Sequence, residues 1–317
     1  MKQYSLVLMF CLLAAALPAS AKGFEPGRLG FTVTVNGVPG DFDTFFATTM
    51  PSKIVTLGLD SGHVTRDFSL LADGQSVSAT DSNRWQWTAP AVAGLSRLTI
   101  THRSTGEVMR LTVFTLVPAT QVVHGKLNGY QIGDYPGKPL KGLRVYEAPT
   151  GFIEVTEANE SVAVSPHFKL AQFVCKQGGG YPRYMVLRPR LLLKLEGILG
   201  EINARGVKTD SLVIMSGYRT PYYNRLIGNV RYSRHQWGGA ADIYVDVAPE
   251  DGQMDDLSGD GRTNRLDALW LYRLASRYAG EHHRKDLIGG VGVYNATAAH
   301  GPFVHVDVRG ERARWGE

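Results

Sequence analysis

Ser233-Arg234-His235-Gln236-Trp237-Gly238-Gly239-Ala240-Ala241-Asp242 is the stretch on which the reading of the chain turns. A histidine and an aspartate stand seven positions apart in it, with small residues between them. The segment continues as Ile243-Tyr244-Val245-Asp246, so along a strand Asp242 falls on the face opposite Ile243 and Val245. A second segment, Phe303-Val304-His305-Val306-Asp307-Val308, alternates in the same way. Its valines share one face; Phe303, His305 and Asp307 share the other. Two strands can thus each present a ligand on one side of a sheet while their aliphatic residues enter the core. His235 can reach the same point from the loop before its strand. Two imidazoles and one carboxylate suit zinc, with a fourth position left for water whose pKa the metal lowers.

Working outward, Ser216-Gly217-Tyr218-Arg219-Thr220-Pro221 with Asn224 precedes the first segment, and Phe168-Lys169-Leu170-Ala171-Gln172-Phe173 lies further back. Ser233, His235, Gly238, Ala240 and Asp242 match S-x-H-x-x-G-x-A-x-D, and the Ser216 segment matches S-G-Y-R-[ST]. On these residues, about 166–317 resembles the zinc D-alanyl-D-alanine peptidase superfamily of VanX/VanY-like carboxypeptidases, phage endopeptidases and murein endopeptidases. The resemblance implies zinc held by His235, Asp242 and His305. It also implies that Arg219 stabilises an oxyanion or grips a substrate carboxylate. Many members carry an acid or histidine two or three residues before the last ligand as general base. Here those positions are Phe303 and Pro302, which take no proton. Asp307 is on the right strand face and is the expected base; its other role would be to orient a ligand histidine. His300 is the next candidate base.

A second metal signal is independent of the first. Asp256-Leu257-Ser258-Gly259-Asp260-Gly261-Arg262-Thr263-Asn264-Arg265-Leu266-Asp267 follows the spacing of a calcium loop. Oxygens of Asp256, Ser258, Asp260, Asn264 and Asp267, with the Arg262 carbonyl, would be the ligands. Its departures are Asp in place of a terminal Glu and no clear helix before it.

The rest of the chain sets the architecture. Up to about Thr120, strand patterns alternate with turns: Phe31-Thr32-Val33-Thr34-Val35 is apolar at every second position, and Asp73-Gly74 and Ser104-Thr105-Gly106 read as hairpin turns. Leu98-Thr99-Ile100 and Leu111-Thr112-Val113 are expected to pair around the second turn. A β-sandwich-like domain over 22–120, serving as a wall-binding module or a spacer, is the expectation. A Gly-, Pro- and Tyr-rich connector follows over 121–165. The domain at 166–317 is read as α+β, a small antiparallel sheet with flanking helices. Leu192, Leu195, Leu199 and Ile202 predict a helix over 190–204 closed by Gly206, Asn264 to Tyr278 a second helix, and Leu212 to Met215 a buried strand.

Met1-Lys2-Gln3, an apolar run to about Leu17 and Pro18-Ala19-Ser20-Ala21 read as a secretory signal over 1–21, too short to span a bilayer as a settled helix. Cys11 lies inside it, so Cys175 has no cysteine to pair with afterwards. A composition 44% hydrophobic and 20% charged is that of a globular chain, and a net charge of +5 suits an anionic polymer without suggesting nucleic acid. No second apolar stretch predicts a transmembrane anchor. The expected activity is zinc-dependent hydrolysis of peptidoglycan stem or cross-link peptides in the periplasm, as a D,D-carboxypeptidase or an endopeptidase. The competing reading is a zinc-containing module that binds peptidoglycan without turnover. New products from muropeptides only without chelator separate the two.

Overall fold

The computed structural model describes residues 24–247 and 250–317. The secretory signal expected at 1–21 lies outside them, and no described helix is long and apolar enough to cross a membrane. The chain is mostly β, with several small sheets and few helices.

The first ten strands are β1 (Arg28–Val35), β2 (Val38–Phe42), β3 (Thr44–Thr49), β4 (Ile54–Leu59), β5 (Phe68–Ala72), β6 (Gln75–Ser76), β7 (Ala79–Asp81), β8 (Arg84–Thr88), β9 (Gly94–His102) and β10 (Val108–Thr115). They form two five-stranded sheets, ordered β2-β1-β4-β8-β7 and β3-β10-β9-β5-β6. The alternation in β1 buries Phe31, Val33 and Val35, which share one apolar cluster with Phe45, Leu98, Ile100 and Val113 of the other sheet. The Asp73-Gly74 turn has positive φ at both residues, 47° and 83°, the geometry a two-residue hairpin between twisted strands requires. Leu98 stands opposite Leu111 in the β9–β10 pair, as expected from the sequence. The parallel pairing of β3 with β10 has no local signal, because its two strands lie more than sixty positions apart.

Between 117 and 185 the chain forms small pieces: β11 (Val117–Pro118), β12 (Lys126–Leu127), β13 (Tyr130–Gln131), β14 (Gly151–Val155), β15 (Ala163–Ser165), β16 (Phe168–Lys169) and β17 (Arg183–Met185). The segment at 190–204 forms α1 (Pro189–Ala204), with Pro at its first turn and Gly206 beyond its end at φ 91°. After α1 come β18 (Val213–Ser216), the short α2 (Pro221–Leu226), β19 (Ala240–Tyr244), α3 (Arg265–Glu281), β20 (Gly290–Tyr294), β21 (Phe303–Asp307) and β22 (Ala313–Trp315). The last sheet is ordered β18-β19-β21-β20-β22, antiparallel except for β20 with β22. Every residue of β21 is buried, so its alternation separates two covered faces instead of core from solvent. One face meets α3, and the other carries the polar cluster described below. The apolar cluster continues from the sandwich strands through α1 into this sheet without a break.

His167 ties the β15–β16 hairpin to α1. Its backbone N–H and its ring both reach buried Glu196, at 3.0 and 2.7 Å. Burial of the ring opposes protonation, but the Glu196 carboxylate outweighs it, and the imidazole pKa is raised. A raised pKa stabilises the folded chain fully below the unfolded value of about 6.5, and the benefit is lost as pH climbs through the folded value. Melting temperature should therefore fall more between pH 6 and pH 9 for the wild type than for His167→Gln. Equal slopes would remove the pair from the account.

Candidate metal centre

The three ligand candidates come together by strand register. Asp242 on β19 stands directly opposite His305 on β21, which puts both side chains on one face of the sheet. His305 Nδ1 lies 2.9 Å from Asp242 Oδ1. His235 arrives on the one-turn helix Arg234–Trp237, and its Nε2 sits 3.2 Å from both His305 Nδ1 and Asp242 Oδ1. Gly238 ends that turn at φ 62°, and a Cβ there would overlap the Val186 carbonyl, so the motif needs glycine on two counts. His235, Asp242 and His305 are the one group of three or more such side chains among the described residues whose ligand atoms gather as a metal would require.

The donor set fits zinc. Tetrahedral zinc with bonds of about 2.0–2.1 Å separates its ligand atoms by about 3.3 Å, close to the spacing of these three atoms. The outer nitrogens fix the tautomers. His235 Nδ1 must donate to the Gly217 carbonyl at 2.6 Å, since a carbonyl only accepts, leaving the Nε2 lone pair for metal. His305 Nε2 donates to Asp307 Oδ2 at 3.2 Å, leaving Nδ1. Burial lowers the pKa of His235, as suits a neutral ligand. Burial acts the same way on His305, but its hydrogen bonds to Asp242 and Asp307 prevail and raise it. Burial alone would raise the Asp242 pKa; the two imidazoles hold it far below the usual carboxylate range.

Asp307 does not face the cluster. It lies on the far side of the His305 ring, fully buried, with its oxygens taken by His305, the Gly290 N–H and the Arg309 guanidinium. Of the two roles expected for Asp307, this placement favours the orienting one: a carboxylate behind the His305 ring sets the direction of that ring. His300 is turned onto the Gly301 carbonyl and packs edge-on against Phe303, outside the cleft lining. Arg219 pairs with the second oxygen of Asp242, while its Nε donates to Ser216 Oγ at 2.8 Å. It thus holds a ligand carboxylate and also lines the cleft.

The cluster opens into a cleft of about 260 Å³. Tyr294, Phe303 and Trp315 form one wall; Tyr146, Tyr232 and Leu140 form the other. Phe303 is stacked on Tyr294 at 4.6 Å. Gly292, opposite His305, leaves the space that the Trp315 indole fills above the ligand ring. Sequence reasoning missed the part played by 135–147. Tyr135 Oη donates to the Gln236 carbonyl, and the Glu147 carbonyl accepts from Trp237. The Val145 carbonyl accepts from Arg234, and Lys138 from Tyr232. This strap clamps the His235 turn from about 90 positions away; the recurring tyrosines were its only signal. Gly217, in turn, lies against the Phe173 backbone, where a Cβ would come within 2.6 Å, which links two of the motif segments.

The loop Asp256–Asp267 closes on itself. Asp256 accepts from the N–H groups of Gly259, Asp260 and Gly261, and Asp260 from Arg262 N–H. Asp267 accepts from Ser258 and Asn264 N–H, the latter completing a capping box for α3. These oxygens are satisfied by the loop itself, so its geometry adds nothing to the calcium expectation. Cys175 is buried, and burial raises its pKa, as a structural thiol requires.

A pair of imidazoles and a carboxylate lining a cleft is a donor set that could hold a single metal ion. Residues 166–260 match the family described as Peptidase M15, which bears out the resemblance to the zinc D-alanyl-D-alanine peptidases. That segment holds His235 and Asp242; His305 lies beyond it. The family is zinc-dependent, and the buried triad is in place to hold the metal. No curated protein matches the chain. Among solved structures, Bacteroides ovatus mixed-linkage glucan utilization locus SGBP-B in complex with mixed-linkage heptasaccharide is 19% identical over 23% of this chain and 23% of its own, with a TM-score of 0.17. A likeness that slight carries no argument.

Proposed function

We propose that the second half of the chain is a zinc-dependent hydrolase of peptidoglycan peptides, acting in the periplasm, with 22–120 and 121–165 as preceding domain and connector. The observation that carries the reading is the convergence of His235 Nε2, Asp242 Oδ1 and His305 Nδ1 in the lining of a cleft of about 260 Å³. Zinc bound there would polarise a carbonyl and acidify a water. Gly217 and Asp307 keep the imidazole lone pairs aimed inward; Arg219 holds Asp242 and lines the cleft, where negative charge would develop. The substrate class rests on the family resemblance; the choice between carboxypeptidase and endopeptidase is left to product analysis. Purified protein incubated with muropeptides should give new products only when metal-loaded, and chelator should abolish them.

One observation favours a second reading, a zinc-containing module that binds peptidoglycan without cutting it. Among the described residues Asp242 is the only carboxylate lining the cleft, and it is already engaged as a candidate ligand, so no second acid there is at hand to move a proton. Retention of muropeptides without products would select this reading.

Calcium at Asp256, Ser258, Asp260, Arg262, Asn264 and Asp267 is a separate proposal, resting on spacing alone. If it holds, calcium should raise the melting temperature of the wild type and not of Asp260→Ala. Equal responses would rule the loop out.

A further inference from the structure

We propose that the metal cleft contains a second anion subsite, built on Arg309 with Arg234 beneath it, which takes a carboxylate of the substrate. The inference rests on the peptide-hydrolase reading for the identity of the substrate, but its evidence is separate.

Arg234 is 2% exposed and lines the cleft. Its Nη1 donates to the Val145 carbonyl at 2.6 Å, while Nε and Nη2 are buried with no hydrogen-bond partner. The guanidinium carbon lies over the Tyr146 ring, 4.6 Å from its centre. Its Nη2 also fills the space over Gly239, where a Cβ would come within 2.9 Å. The site is therefore shaped around a cation that lacks an acceptor. A buried guanidinium with two idle nitrogens is costly unless a counter-charge arrives. The protein supplies none. Arg188 lies alongside, sharing the Val145 carbonyl at 3.3 Å. Asp307 is taken by Arg309, His305 and Gly290.

Arg309 supplies the point of contact. Its side chain is partly exposed on the cleft wall over Trp315, and only Nε and Nη2 are engaged by Asp307. Arg219, the third arginine of the cleft, is committed to Asp242 and Ser216. Among the described residues the cleft thus carries three guanidinium groups and a single carboxylate, that of Asp242. The planar, forked guanidinium matches a carboxylate, and the Tyr146, Tyr232 and Trp315 faces suit the organic part of an acidic peptide.

The test is calorimetry on zinc-loaded protein with N-acetyl-D-alanine and with its uncharged amide, neither of which has a peptide bond between residues to cut. A hydrogen bond to a charged group contributes about 1.5–3 kcal/mol, so the amide should bind about 10–100-fold more weakly. Arg309→Gln, compared with the wild type in the zinc-free protein, removes the contacting guanidinium and should shrink the gap to about threefold, and Arg309→Lys, which keeps the charge, should retain most of it. The gap should also survive removal of zinc from the wild type, an arm that needs no variant. Equal affinities, no binding of either probe, a gap that Arg309→Gln leaves intact, or a gap that vanishes with zinc would each overturn the subsite. The last would place the carboxylate on the metal. Muropeptide cleavage without the gap overturns the subsite alone; the gap without cleavage overturns the hydrolase reading alone.

Discussion

His235→Ala and His305→Ala should each strip the chain of zinc and abolish muropeptide cleavage. Each removes one of three donors that lie within about hydrogen-bond distance of one another, so the two remaining cannot enclose the ion. The loss of affinity should exceed the roughly 10–100-fold effect usual for groups that only orient a ligand. Folding should survive. His235 sits on a short turn held by the 135–147 strap, and His305 faces the cleft, while the apolar cluster through both sheets and α1 is untouched. Zinc analysis after gel filtration, beside circular dichroism, checks both halves of the expectation. Full zinc occupancy in either variant would sink the ligand assignment.

Asp307→Asn should act through the metal and not through proton transfer. The amide keeps the shape, but Arg309 loses its counter-charge and His305 Nε2 its ionised acceptor. In the wild type burial alone would raise the Asp307 pKa; His305 and Arg309 instead hold it well below the usual range, so the carboxylate is charged at neutral pH. Zinc affinity should fall by about 10–100-fold, with turnover largely recovered at saturating zinc. A general base would behave differently: zinc would stay bound while turnover fell by about two to four orders of magnitude. That second pattern would restore the role first expected of Asp307.

What the sequence made legible was local. Alternation in 31–35 and 303–308 marked strands, a heptad-like leucine spacing marked α1, and a ten-residue motif marked two ligands, since each depends on neighbours along the chain. The role of Asp307 was not legible, because strand alternation gives a face and not the side of the His305 ring on which the carboxylate ends. Nor was the strap at 135–147: backbone carbonyls of Val145 and Glu147 carry no sequence signature, and their partners are about 90 positions distant. The positive character of the cleft was hidden for the same reason, with Arg219, Arg234 and Arg309 meeting only after the last sheet forms. The calcium-loop spacing was legible, yet its oxygens serve turn and cap hydrogen bonds equally well.

The central claim is that two imidazole nitrogens and one carboxylate oxygen bind a single zinc ion. X-ray absorption at the zinc edge, on protein loaded with one equivalent and passed through gel filtration, tests it most directly. The account predicts only nitrogen and oxygen neighbours at about 2.0–2.1 Å, with the outer-ring scattering of two histidines. Zinc lost on the column, or bound by oxygen alone without imidazole scattering, would contradict it.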